Sequence, residues 1–320
     1  MNGLAGAGSV VGLDVGGTVM KAVAVGPDGT VTARLRQPTE AGDAPIAIME
    51  RVVAFLAGMR DDLLGRGEVL TAIGLAVPGL IDEAAGVVHF AANLGWRDQE
   101  VAPFVAERLG TPVYLGHDVR SGAIAEGVLG AARGVEDFLF LPIGTGIAAA
   151  LVLGGQVRAG PRGLAGELGH LVVEPGGPPC RCGARGCLET LASASALARR
   201  YRQRVPGPAL GAAAVAALAA GGDGDALAVW SAVVEALGQV LAGVQSLLDL
   251  ELVVVGGGLA NSEGLLADLE AAIASRLTCQ VPPRLVRAAL GDEAGSLGAA
   301  LLARAGGETV RLGSGAPEHR

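Results

Sequence analysis

Two stretches of the chain repeat one pattern: a run of strand-forming residues, a short glycine-threonine turn, and a second run. The first is VVGLDVGGTVMKAVAV, with Asp14, Gly16, Gly17, Thr18 and Lys21 at or beside its turn, and the second is FLFLPIGTGIAAALVLGG, turning at Gly144, Thr145 and Gly146. One such turn also suits a plain hairpin. With 52 glycines in 320 residues, a glycine patch counts only when its neighbours fit as well. The recurrence, one copy in each half, is what constrains the fold. Turn glycines let backbone N–H groups approach a phosphate, Thr18 adds a hydroxyl donor, and Asp14 can hold Mg2+ through water. The GxxxxGK[ST] spacing of a Walker loop is absent. Two such hairpins could clasp a nucleotide between two domains. Further on, LELVVVGGGLANSEG reads as a buried strand followed by Gly256, Gly257 and Gly258 and a helix. It lacks the G-x-G-x-x-G fingerprint and reads as a flat backbone surface for an adenosine moiety.

The segment CRCGARGCLE, residues 180–189, holds Cys180, Cys182 and Cys187, three of the four cysteines. Cys279 stands apart and reads as a buried apolar residue or an incidental thiol. An odd cluster in a chain with no visible secretory signal argues against disulfides and for a cytoplasmic protein. His170, ten residues before Cys180, completes a Cys3His set of the kind that binds zinc, with coincidence or redox chemistry as the alternatives. Four protein ligands leave no open position, so such a metal is structural and pins a loop. Glu167 and Glu189 flank that segment. Either alone reads as a solvated charge or a helix-start residue; together they read as convergent acceptors for a polyhydroxylated ligand such as a sugar.

In TPVYLGHDVRSGAIAEGVLGAA a strand runs into a helix with Asp118 at the junction. Asp118 suits a helix N-cap. It also suits a carboxylate at the carboxyl end of a strand, where open α/β folds place their sites and where a base for phosphoryl transfer to a hydroxyl would stand. Both roles can coexist. The overall balance, 51% hydrophobic, 18% charged and a net charge of −8, describes an acidic globular protein, for which nucleic acid is not an expected partner. Its apolar runs are broken by Pro and Gly, and no membrane span is expected.

These residues carry a family resemblance. DVGGTVMK, AVPGLID, NLGW, the strand-to-helix Asp118, IGTG and above all GELGHLVVEPGGPPCRCGARGCLE resemble the ROK family of bacterial sugar kinases and sugar-responsive repressors, over roughly residues 10–305. The resemblance implies a two-domain α/β fold of the actin-like ATPase (ribonuclease H-like) type with a structural zinc loop, closing over ATP with Mg2+ and a hexose, as a homodimer or homotetramer. It implies that Asp118 is the base for the sugar hydroxyl, that Asn93, Glu167, His170 and Glu189 contact the sugar, and that His170 serves the zinc as well. One departure stands out. Family kinases usually have Asn-Asp followed by Ala-Asn, whereas this chain reads His117-Asp118-Val119-Arg120, so His117 takes the place of an Asn that touches sugar hydroxyls. A neutral imidazole donates one hydrogen bond and accepts one, so sugar binding survives while substrate preference shifts.

The expected organisation is a first domain over residues 1–116, a larger domain over 117–292 with the zinc segment, a helix at about 293–306 returning to the first domain, and a loose tail at 307–320. Strands are expected at 10–15, 19–25 and 70–76, and helices at 45–64, 99–109, 188–204 and 225–249. The leading function is an ATP-dependent glucokinase, with mannose, N-acetylglucosamine and fructose as alternative substrates and polyphosphate as an alternative donor. A ROK-type repressor carries a DNA-binding module ahead of the first turn, and the thirteen residues before Asp14 are too few for one. A noncatalytic sugar-binding regulator is the other alternative.

Overall fold

The structure, a computed structural model, describes residues 6–313. Contacts divide it into two units: one holds the described residues up to Glu136, with Gly154–Ala165 and those from Asp292 on, and the other holds Asp137–Leu153 and Gly166–Gly291.

In the first unit, β1 (Ser9–Val15) and β2 (Val19–Val25) form the expected hairpin, antiparallel with Asp14 opposite Lys21. β3 (Val31–Pro38) extends it. Helix α1 (Pro45–Gly65) starts on a proline, whose missing N–H costs nothing there, and buries Ile48, Val52, Leu56, Met59 and Leu63 along one face. β4 (Leu70–Val77) is followed by a small antiparallel sheet of β5 (Leu80–Asp82), β6 (Val87–Ala91) and β7 (Trp96–Gln99). Then come α2 (Val101–Leu109), β8 (Val113–His117) and α3 (Asp118–Val128). The main sheet has the order β3-β2-β1-β4-β8, with β1, β4 and β8 parallel, so their carboxyl ends, including Asp14 and His117, share one edge.

The second unit opens with β9 (Phe138–Pro142) and β10 (Ala150–Leu153), antiparallel with Phe140 opposite Ala150. β11 (Gln156–Arg158) belongs by its contacts to the first unit. The helices α4 (Leu188–Ala192), α5 (Ala194–Arg204), α6 (Ala212–Ala220) and α7 (Gly224–Leu248) follow, then β12 (Leu252–Gly256), α8 (Leu265–Ala274) and β13 (Arg284–Arg287). β12 lies between β9 and β13, parallel to both. The expected single helix over 188–204 is broken at Ser193, whose Oγ accepts the Ala196 N–H at 3.1 Å and starts a new helix. α7 is long and apolar enough for a membrane span, with a mean hydropathy of 1.7, yet Val229, Val233, Leu237 and Leu241 are buried in the interior of this unit.

The last helix, α9 (Ala294–Arg304), returns to the first unit and lies against β1, β4 and α3. Its close approach needs glycine on the sheet: a Cβ at Gly12 would collide with the Ser296 carbonyl, and one at Gly74 with the Ala299 carbonyl. Because α3 packs on α9, it belongs with the first unit, beyond the expected change-over at 117. The expected loose tail also differs. Leu312 is buried, its N–H donates to Gly155 O at 2.8 Å, and its side chain covers Gly127. The apolar burial of Leu312 ties residues 307–313 down; 314–320 lie outside the described residues.

Candidate active site

In the first unit the predicted phosphate turn, Asp14 and Asp118 come together. Asp14 is the last residue but one of β1, and its carboxyl is pushed up to about 7, chiefly by burial, then by the charges of Asp118 and Asp292, with Lys21 opposing. Lys21 Nζ stands 3.5 Å from Asp292. Gly295, at the start of α9, has no Cβ to press on the Asp14 carboxyl. A divalent cation suits this arrangement, because clustered carboxylate oxygens are hard ligands and a cation would favour the ionised form of Asp14. Asn93, exposed between β6 and β7, sits against Gly17, where a Cβ would come within 3.1 Å of the Asn93 Cβ.

Asp118 is the first residue of α3. Its Oδ1 accepts the Val119 N–H at 2.7 Å and its side chain keeps 32% exposure, but the N-cap of this helix is His117 and not Asp118 as expected, because the extended backbone ends at His117. His117 is buried, and its Nδ1 accepts the same N–H at 3.2 Å and stands 3.2 Å from Asp118 Oδ1. The other departure, Arg120, faces away from this work. It is buried, donates to Glu83 Oε1 through Nε at 3.2 Å and Nη2 at 2.9 Å, and reaches Gly163 O through Nη1 at 3.1 Å. Arg120 therefore ties α3 to the end of β5 and to the segment after β11.

In the second unit His170, Cys180, Cys182 and Cys187 converge, their ligand atoms all within 4.8 Å of one another. Cys180 Sγ lies 3.6 Å from His170 Nδ1 and Cys182 Sγ 3.6 Å from Cys187 Sγ. Zinc–ligand bonds of about 2.0–2.3 Å give tetrahedral edges of about 3.6–3.8 Å, so the donor set fits zinc in type and spacing. A disulfide, at about 2.05 Å, is not formed. Burial pushes the Cys187 thiol up to about 12, helped by Cys182 and Cys180; the Ala184 N–H lowers Cys182. A bound cation would turn that balance toward thiolate. The 3-10 turn Leu168–His170 brings His170 Nε2 to 3.7 Å from Glu167 Oε2, so the face of the ring away from the cysteines meets a carboxylate.

Glu189 lies in the first turn of α4, and its Oε2 accepts the Ile147 N–H at 3.1 Å. It thus rests on the Gly144-Thr145-Gly146 turn. That turn is also stitched to the glycine run after β12, because Ile143 N–H donates to Gly256 O at 2.9 Å and Leu259 N–H to Ile143 O at 3.1 Å. Gly257, at φ 76°, has the backbone of Ile143 where a Cβ would be. Glu167, His170 and the cysteines form one group, and Glu189 with the two glycine segments another.

Two groups here escape sequence reasoning. Thr39, fully buried, donates from Oγ1 to Gly16 O at 2.6 Å and holds the first turn from β3's end; nothing in QPTE signals it. Glu83 as partner of Arg120 carries no local signal either. Cys279 is exposed, which leaves the incidental thiol of the two readings, because it falls in the irregular segment between α8 and β13.

Known proteins resemble this chain in sequence and in fold. The chain matches the ROK family over residues 10–306. A glucokinase of Thermotoga maritima is 32% identical over 271 residues, 80% of this chain and 84% of that one. The crystal structure of a ROK hexokinase from Thermus thermophilus aligns with a TM-score of 0.80 at 39% identity, covering 92% of this chain and 97% of that one. The crystal structure of a ROK family glucokinase from Streptomyces griseus in complex with glucose and AMPPNP aligns with a TM-score of 0.80 at 29% identity, covering 93% and 100%. The α/β architecture is thus the actin-like one of these kinases, and the chain belongs to the ROK family.

Proposed function

We propose that the protein is an ATP-dependent hexose kinase that phosphorylates a 6-hydroxyl, with glucose as the preferred acceptor. The observation that carries this reading is Asp118 at the carboxyl end of β8, partly exposed and beside the Asp14 turn. In this reading Asp118 orients the sugar hydroxyl and takes its proton as the oxygen bonds to the γ-phosphorus, while the bond to the bridging oxygen breaks and ADP leaves. Mg2+ bound with the nucleotide would neutralise charge on the phosphate oxygens, held through water by Asp14. In this reading Gly16, Gly17, Thr18, Lys21, Gly144, Thr145 and Gly146 are the phosphate-binding residues, and Gly256, Gly257 and Gly258 support the nucleoside.

Asn93, His117, Glu167, His170 and Glu189 hold the remaining sugar hydroxyls. Structural zinc on His170, Cys180, Cys182 and Cys187 keeps Glu167 and His170 in register. A coupled ADP-release assay over glucose, mannose, N-acetylglucosamine and fructose, with polyphosphate as a second donor, tests the proposal. ATP-dependent turnover, highest with glucose, is the expected result, and no release with any hexose overturns it.

A further inference from the structure

The Gly144–Gly146 turn is held by the short helix that begins at the cysteine cluster. Glu189 accepts the Ile147 N–H at 3.1 Å. Gly146 leaves the space that this carboxylate fills, since a Cβ there would run into Oε2. Just past α4, the Ala194 N–H donates to Gly144 O at 2.9 Å, and the Gly144 N–H closes the turn on Gly146 O at 3.0 Å. At its other end α4 starts from Cys187, buried and one of the four clustered ligands. Leu188 and Leu191 anchor the helix in the core. A metal ligand, a carboxylate and the turn are therefore joined through five helical residues.

We propose that Glu189 is a positioning residue for the donor-phosphate turn, and that the metal centre acts on donor binding through it; this rests on reading Gly144–Gly146 as a phosphate turn. Oε2 fixes the peptide that follows Gly146, and with it the backbone that cradles the phosphate. Oε1 is the acceptor for a sugar hydroxyl. One side chain thus serves both substrates, so a seated sugar steadies the turn and a bound nucleotide steadies the carboxylate. Each then raises the affinity for the other by the same factor.

The test is ADP affinity by calorimetry, in the full metal-loaded chain without sugar, so that turnover plays no part. Glu189→Ala should weaken ADP binding about tenfold. Glu189→Gln, whose amide oxygen still accepts the Ile147 N–H, should stay within about threefold while raising the glucose KM. Hydrogen exchange at the Ile147 amide should quicken in Glu189→Ala and not in Glu189→Gln. Chelator-stripped protein that keeps its far-UV circular dichroism should match Glu189→Ala in ADP affinity. Wild-type ADP affinity and Ile147 protection in Glu189→Ala would overturn the proposal, as would a wild-type chain that binds no ADP. If the variants behave as expected and no hexose is phosphorylated, the kinase reading fails and the role of Glu189 in the turn stands.

Discussion

Replacing Asp14 by Asn should stabilise the protein at pH 8 and change little near pH 4. In the fold the Asp14 carboxyl is pushed from 3.8 to about 7, by burial first and then by Asp118 and Asp292, with Lys21 pulling it back. Below about pH 4 both folded and unfolded chains hold this proton, and the fold bears no penalty. Between about 4 and 7 the unfolded chain releases the proton and the folded chain keeps it, so stability falls as the pH rises. Above about 7 the loss is complete. A shift of about 3 pH units corresponds to about 4 kcal/mol, and because part of Asp14 still reaches solvent we take about 2 kcal/mol as the working value. Asn does not titrate and removes that loss, which for a chain of this size is a rise of roughly 3 °C in Tm. Urea and thermal unfolding at pH values from about 4 to 8, without divalent cations, reads it directly. Adding Mg2+ at pH 8 should then raise the wild type and not the variant, because the cation favours the ionised carboxylate. A difference between the two proteins that stays flat across this pH range would refute the reasoning.

Asp118→Asn should cut kcat by roughly 10²–10⁴ while sugar binding stays nearly intact, since the amide keeps the bond to Val119 N–H but cannot take a proton; a variant retaining over about a third of wild-type kcat would leave Asp118 as a helix-start residue alone. Purified protein should carry about one zinc per chain by elemental analysis, and Cys182→Ser or Cys187→Ser should lower Tm and raise the sugar KM. Metal-free protein with unchanged Tm and kinetics would defeat the zinc assignment. In kcat/KM, glucose should lead, mannose follow and N-acetylglucosamine trail, because a sugar lacking a bonded hydroxyl leaves a buried polar group unpaired and loses about one to two decades. 6-Deoxyglucose should bind without being phosphorylated. His117→Asn should keep activity and shift the glucose-to-mannose ratio, and an unmoved ratio would remove His117 from the sugar's surroundings.

What the sequence determined by itself was local. The cysteine cluster was legible because Cys180, Cys182 and Cys187 lie within one turn-rich segment, where spacing alone brings thiols within reach of one metal. The first hairpin and the strand-to-helix step at Asp118 were legible for the same reason: alternating apolar residues, a glycine turn and a carboxylate at a helix start act over a few positions, although the cap itself is His117. Tertiary structure decided which distant groups hold these pieces. Thr39 reaches Gly16 across 23 positions, Arg120 reaches Glu83 across 37, and Glu189 reaches the Ile147 N–H across 42. No local pattern encodes such pairs, because they depend on where β3, β5 and α4 come to rest once the core packs. The same holds for Leu312, whose polar and glycine-rich surroundings read as a free end until its side chain finds the space over Gly127 that a missing Cβ leaves open.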